Sequence, residues 1–225
     1  MNANPTIDTT VRVQTSLLAA AEKRLLIRIA GALPRWVTSD RLTTLGAAAM
    51  AGVGLTFAFG GSHPVAALLV VLFLAVNWFG DSLDGTLARV RRQERPRYGF
   101  YLDHVLDAAG MVALAAGLIA GGLMSPIVGL TFLAAYYLLM VEIALATHAL
   151  GTFRLSFWHV GPTELRIVLA AGALAAVRSP VVDVAGWHAR LFDIGGVVAT
   201  AGLLLTFVIS AISNTRELSR REPIR

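Results

Sequence analysis

Six apolar stretches, at 42–59, 65–90, 99–123, 127–150, 163–177 and 194–212, occupy most of this sequence. Crossing about 30 Å of hydrocarbon takes roughly 20 helical residues. The expected fold is therefore all-α: a polytopic membrane bundle of six transmembrane helices. Composition agrees. Hydrophobic residues make up 56% and charged residues 15%, against roughly 45–50% and 25% in an average soluble domain. Pro34, Pro64, Pro126, Pro162 and Pro180 fall in the connections, where helices begin or end. The absence of cysteine excludes disulfide frameworks, thiolate zinc sites and cysteine nucleophiles. Residues 1–14 are polar and lack the apolar core of a cleavable signal, so none is expected.

Charge placement orients the bundle. Arg12, Lys23, Arg24, Arg28, Arg35 and Arg41 precede the first stretch. The second connection carries Arg89, Arg91, Arg92, Arg95 and Arg97, whereas the first and third carry no Lys or Arg. Six crossings would place 17 Lys and Arg on one side and 2, Arg178 and Arg190, on the other. Both termini are thus expected in the cytoplasm. Residues 16–33 put Leu17, Leu18, Leu25, Leu26 and Ile29 at mostly helical spacing among Lys23, Arg24 and Arg28. This predicts an N-terminal amphipathic helix lying in the interface; a soluble helix packed on the domain is the plainer alternative. The chain reads as one domain, with 1–37 as the cytoplasmic or interfacial segment, 38–215 as the bundle and 216–225 as a cytoplasmic tail.

Four aspartates interrupt this pattern. The clean apolar part of the second stretch is 65–80, and that of the third is 108–123. Sixteen residues rise only about 24 Å, so each helix must use its aspartate-bearing turn to complete the crossing. Asp81 and Asp84 then lie at membrane depth near the cytoplasmic face, and so do Asp103 and Asp107. Intramembrane carboxylates are expensive and mark functional sites. The i,i+3 and i,i+4 spacings put each pair on one helix face, and a short basic loop lets the faces meet. Four carboxylates there would repel one another unless cations were bound. Hard oxygen ligands, without cysteine or a histidine at matching spacing, point to Mg²⁺, Mn²⁺ or Ca²⁺. Two metals bridged by carboxylates suit phosphoryl displacement. Salt bridges to nearby arginines are the simpler reading. Gly85 and Gly99 lack side chains where a ligand could approach the backbone. Ala88 keeps the surface low, and Arg89 suits a diphosphate.

The pattern Asp81-x2-Asp84-Gly85-x2-Ala88-Arg89-x9-Gly99-x3-Asp103-x3-Asp107 resembles the complete signature of the CDP-alcohol phosphotransferases. The resemblance implies metal-dependent transfer of a phosphoalcohol group from a CDP-linked donor to an alcohol, with release of CMP. It implies that Asp81, Asp84, Asp103 and Asp107 ligate Mg²⁺ or Mn²⁺ in a two-metal site, with Asp107 also the general base. Asp81, Gly85, Ala88, Arg89 and Gly99 would hold the nucleotide. The family often has a Pro-Asn-x-x-Thr element at the start of the first span. Here Thr38-Ser39-Asp40-Arg41-Leu42-Thr43 lacks the Pro and Asn, leaving Thr43 as a nucleotide candidate.

Small single-domain members usually move a phosphatidyl group from CDP-diacylglycerol to a small alcohol, which is the expectation here. The alternative is a choline or ethanolamine phosphotransferase acting on diacylglycerol. Gly151-Thr152-Phe153-Arg154-Leu155-Ser156-Phe157 and Gly161-Pro162-Thr163-Glu164 are similar to a segment of that branch. Arg154 and Arg166 are candidate acceptor contacts, as are Glu142 and Glu164 in the same layer. Glu142 lies eight residues from Leu150, about 12 Å deep at helical rise. A buried hydrogen bond to Tyr136, Tyr137 or another helix would also explain Glu142. Trp158 and His159 read as interfacial anchors, and His104 as a packing residue. Membrane lipids and a second copy are the expected partners, and nucleic acid is not. Gly117-x3-Gly121 would let two helices approach closely. A cation-coupled transporter would show inverted repeats and broken midplane helices, and neither appears.

Overall fold

The computed structural model of the chain describes residues 12–13, 19–150, 153–154, 162–184 and 186–223. Among the described residues seven helices carry the fold: α1 (Ala19–Ala32), α2 (Ser39–Gly60), α3 (Pro64–Val90), α4 (Pro96–Ala120), α5 (Pro126–Leu150), α6 (Pro162–Ala176) and α7 (Leu191–Arg221). Four of them begin on a proline. Proline's fixed φ suits the first helical position, and its missing N–H is not needed there. Thr38 caps α2 by accepting from the Arg41 N–H at 3.3 Å. At the other end Gly61 turns the chain with φ +52°, a conformation that strains residues bearing a Cβ.

Among the described residues five helices, α2, α3, α4, α5 and α7, are long and apolar enough to cross a bilayer. The sixth expected span is helical but short. α6 has 15 residues, which rise only about 22 Å. α7, by contrast, continues to Arg221, into the stretch read from sequence as a tail. Two strand pairs were not expected. β1 (Arg12–Val13) runs parallel to β2 (Phe153–Arg154), and β3 (Val181–Val184) pairs antiparallel with β4 (Trp187–Arg190) between α6 and α7.

Leu55, Phe59, Leu68, Leu72, Ile127, Leu130 and Val198 are exposed, as lipid-facing helices require. The chain is a multi-pass integral membrane protein. Inside, α2 packs most extensively on α3 and α4, and α5 on α7. Small residues make the α2 contacts possible. A Cβ on Gly117 would strike the Gly54 carbonyl, and one on Gly121 the Phe57 carbonyl. The Gly117–Gly121 pair is therefore used inside the chain, against α2. Val53, Phe57, Val70, Leu74, Leu114 and Leu118 fill the main core. A second core joins α1 to α3: Leu26 and Ala30 pack with Val37, Leu42, Leu83 and Leu87. α1 is thus docked on the protein by one face, with Lys23, Arg24, Leu25, Ile27 and Arg28 exposed.

Candidate active site

The motif lies on the last turns of α3 and the first turns of α4. Leu83 and Leu87 are buried against α1, which turns Asp81 and Asp84 toward α2 and α4. Carboxylate oxygens of Asp81, Asp103 and Asp107 lie within 4.8 Å of one another. Asp81 and Asp103 are partly buried, and Asp107 is exposed. Two unit charges at that separation repel by about 3–4 kcal/mol at an effective dielectric near 20. Arg166 of α6 offsets one of the three charges. Its Nη2 pairs with Asp81 Oδ2, and its Nε donates to Asn77 Oδ1 at 2.7 Å. A hard divalent cation fits the remaining oxygen donors.

Three of the four expected carboxylates therefore converge. Asp84 is held slightly aside. Thr43 Oγ1 donates to its Oδ2 at 2.6 Å, and the Gly85 N–H donates to Oδ1. Ser39 Oγ donates to the Asp84 carbonyl at 3.0 Å. Thr43, expected near the nucleotide, is thus placed against a motif carboxylate. α2 can reach Asp84 because its backbone passes unusually close to α3. A Cβ on Gly80 would sit 2.5 Å from the Leu42 carbonyl oxygen and 2.7 Å from the Gly46 nitrogen.

Around the cluster the surface is low. A Cβ on Gly99 would meet nothing within 4 Å, and one on Gly85 would meet only the Arg89 guanidinium. Arg89 Nη2 donates to Thr86 Oγ1 at 3.1 Å. Ala88 lies on the same helix between them, partly buried. Tyr137 of α5 donates to the Ala108 carbonyl at 2.8 Å, fixing α5 beside Asp107. His104 bonds the Phe100 carbonyl at 2.8 Å and stacks on the Phe100 ring, as a packing residue would.

The outer candidates divide. Arg166 reaches the cluster, and Glu164 sits partly buried in the first turn of the same helix. Glu142 is buried and turned to α7, where Ser210 Oγ donates at 2.8 Å and Asn214 Nδ2 at 2.7 Å. Its partner is a neighbouring helix, not Tyr136 or Tyr137. The Arg154 side chain, Trp158 and His159 lie outside the described residues. Sequence reasoning missed Asn77 and Ser39. Asn77 is buried, donates to the Gly46 carbonyl at 2.9 Å and receives Arg166. Its signal was available: an amide in an apolar helix, one turn before Asp81 on the same face.

Comparison with known proteins agrees. No curated protein sequence matches the chain. A crystal structure of Mycobacterium tuberculosis phosphatidylinositol phosphate synthase (PgsA1) with CDP-DAG bound has a similar fold. The TM-score is 0.57 at 23% identity, covering 87% of this chain and 94% of that one. The family model for CDP-alcohol phosphatidyltransferase matches residues 33–213. That match runs from the α1–α2 linker into α7 and takes in every motif position, so the chain belongs to the CDP-alcohol phosphatidyltransferase family and is a membrane phosphotransferase of phospholipid synthesis.

Proposed function

We propose that this enzyme transfers a phosphatidyl group from CDP-diacylglycerol to a small alcohol and releases CMP. The convergence of Asp81, Asp103 and Asp107 beside an open glycine-lined surface carries the reading. CDP-DAG bound in the structurally similar synthase supports the choice of donor. Asp81, Asp103 and Asp107 would hold Mg²⁺ or Mn²⁺, with Asp84 adding a fourth carboxylate for a two-metal site. The chemistry such ions supply when bound is stabilisation of charge during phosphoryl displacement.

The chain's own residues do the rest. Gly85, Ala88 and Gly99 admit the diphosphate and nucleotide to the helix surface. Arg89 supplies a guanidinium for the diphosphate. Asp107, the exposed member of the group, accepts the proton of the acceptor hydroxyl. The hydroxyl oxygen forms a new bond to the lipid-bearing phosphorus, the bond from that phosphorus to the CMP oxygen breaks, and CMP leaves with that oxygen. Arg166, with Glu164 on the same helix, lies where the acceptor would enter. In the bilayer α6 makes the sixth crossing despite its length, both termini and the site face the cytoplasm, and α1 lies in that interface as its exposed basic and apolar residues suit. The protein works as a homodimer, and residues 1–37, 38–215 and 216–225 form one functional domain.

The test is an acceptor screen on purified protein with radiolabelled CDP-diacylglycerol and, separately, CDP-choline or CDP-ethanolamine. Label should pass from CDP-diacylglycerol to a small alcohol. Transfer only from a CDP-aminoalcohol to diacylglycerol would reverse the donor and acceptor assignment.

A further inference from the structure

Arg91 is outside the motif, yet it ties together the pieces that shape it. It is the C-cap residue of α3, and its guanidinium reaches back across the chain to the α1–α2 linker. Nη1 donates to the Val37 carbonyl at 2.5 Å. Nη2 donates to the Leu33 carbonyl at 2.9 Å and the Pro34 carbonyl at 3.0 Å. These carbonyls belong to the linker beyond the end of α1, outside the helix's own hydrogen-bond ladder. The linker they belong to ends at Thr38, the N-cap of α2. The first turns of α2 then deliver Ser39 to the Asp84 carbonyl and Thr43 to the Asp84 carboxylate. The chain of contacts is therefore closed. Arg91 at the end of the motif helix fixes the linker, the linker fixes the start of α2, and α2 grips Asp84 on that same motif helix. Leu26, Ala30 and Val37 pack on Leu83 and Leu87 inside this loop of contacts.

We infer that Arg91 is a positioning residue for Asp84, acting through the α1–α2 linker and Thr43. This rests on the proposed role of Asp84 in metal and nucleotide binding. A guanidinium suits this role because its rigid planar fork spreads its donors over three separate carbonyls, whereas an ammonium carries its three donors on one compact nitrogen. Arg91 sets binding, and the proton-accepting group, Asp107, is on another helix. Its removal should therefore raise the donor KM and weaken metal binding while leaving kcat nearly unchanged.

The experiment uses the full chain in lipid nanodiscs. Mn²⁺ binding is read by electron paramagnetic resonance, and donor KM and kcat are measured separately. Arg91→Met should weaken Mn²⁺ binding and raise the donor KM by roughly tenfold each, and Arg91→Lys should recover part of both. In a Thr43→Val background the same Arg91 substitution should change little, since coupled residues are not additive. If Arg91→Met cannot be recovered folded, Arg91→Lys in both backgrounds carries the test with a smaller expected change. Wild-type affinity in Arg91→Met, or full additivity with Thr43→Val, overturns the inference alone. Wild-type protein that binds no Mn²⁺ removes the metal reading and this inference with it.

Discussion

Gly80→Ala is the most direct test of how the site is assembled. The added methyl would lie 2.5 Å from the Leu42 carbonyl oxygen and 2.7 Å from the Gly46 nitrogen, both backbone atoms that no rotamer change can move. Ordinary contact begins near 3.4 Å, so α2 and α3 must separate by about 0.9 Å. Overpacking of this kind costs about 1–3 kcal/mol of stability. The functional cost is larger than the fold's. Thr43 holds Asp84 at 2.6 Å, and the same displacement stretches that bond to about 3.5 Å, beyond useful hydrogen-bond length. Gly80 also adjoins Asp81, so the same shift moves Asp81 relative to Asp103 and Asp107, and a misplacement near 1 Å in a reacting site can lower turnover by about 10²-fold. The assay is CMP release by the purified variant in nanodiscs, alongside thermal unfolding. Gly202→Ala on α7 is the control, because its Cβ would meet nothing within 4 Å and alanine favours the helix. A Gly80→Ala enzyme with wild-type turnover and stability would refute the close α2–α3 contact and the dependence of Asp84 on α2.

Other outcomes follow from the same geometry. Chelation with EDTA should abolish turnover and added Mg²⁺ or Mn²⁺ should restore it, since Arg166 offsets only one charge of the Asp81, Asp103 and Asp107 group; full activity after exhaustive chelation would remove the metal. Asp107→Asn should lower turnover by about 10²–10⁴-fold with donor affinity changed much less, whereas Asp84→Asn should weaken metal and donor binding together. Equal binding losses in the two variants would deny them separate roles. Glu142→Gln should leave acceptor affinity intact, because its oxygens are committed to Ser210 and Asn214; a raised acceptor KM at unchanged stability would make Glu142 an acceptor contact. A maleimide should label Gln93→Cys only from the cytoplasmic side, and labelling from outside intact cells would invert the orientation.

Much of this protein is local in origin and so readable from its residues. Hydrophobic runs of bilayer length can only become helices, because lipid offers the backbone no partners. Prolines mark where four of those helices start. The i,i+3 and i,i+4 spacing of Asp81, Asp84, Asp103 and Asp107 places each pair on one face whatever the neighbours do. Contacts between helices are a different matter, since they depend on how closely two backbones pass. Gly46 and Gly80 read as two glycines among 21 until α2 and α3 meet there. That approach turns Asp84 to Thr43, leaving three carboxylates rather than four in the tightest group. Pairing across long separations decided the remaining roles. Arg166 and Asn77 stand 89 residues apart, and Glu142 finds Ser210 68 residues on. A buried polar group must have a partner, but spacing along one helix cannot name a partner on another. Composition told which residues belong inside the membrane, and only the crossing of α2 over α3, with α6 laid beside them, decided which of their polar atoms meet.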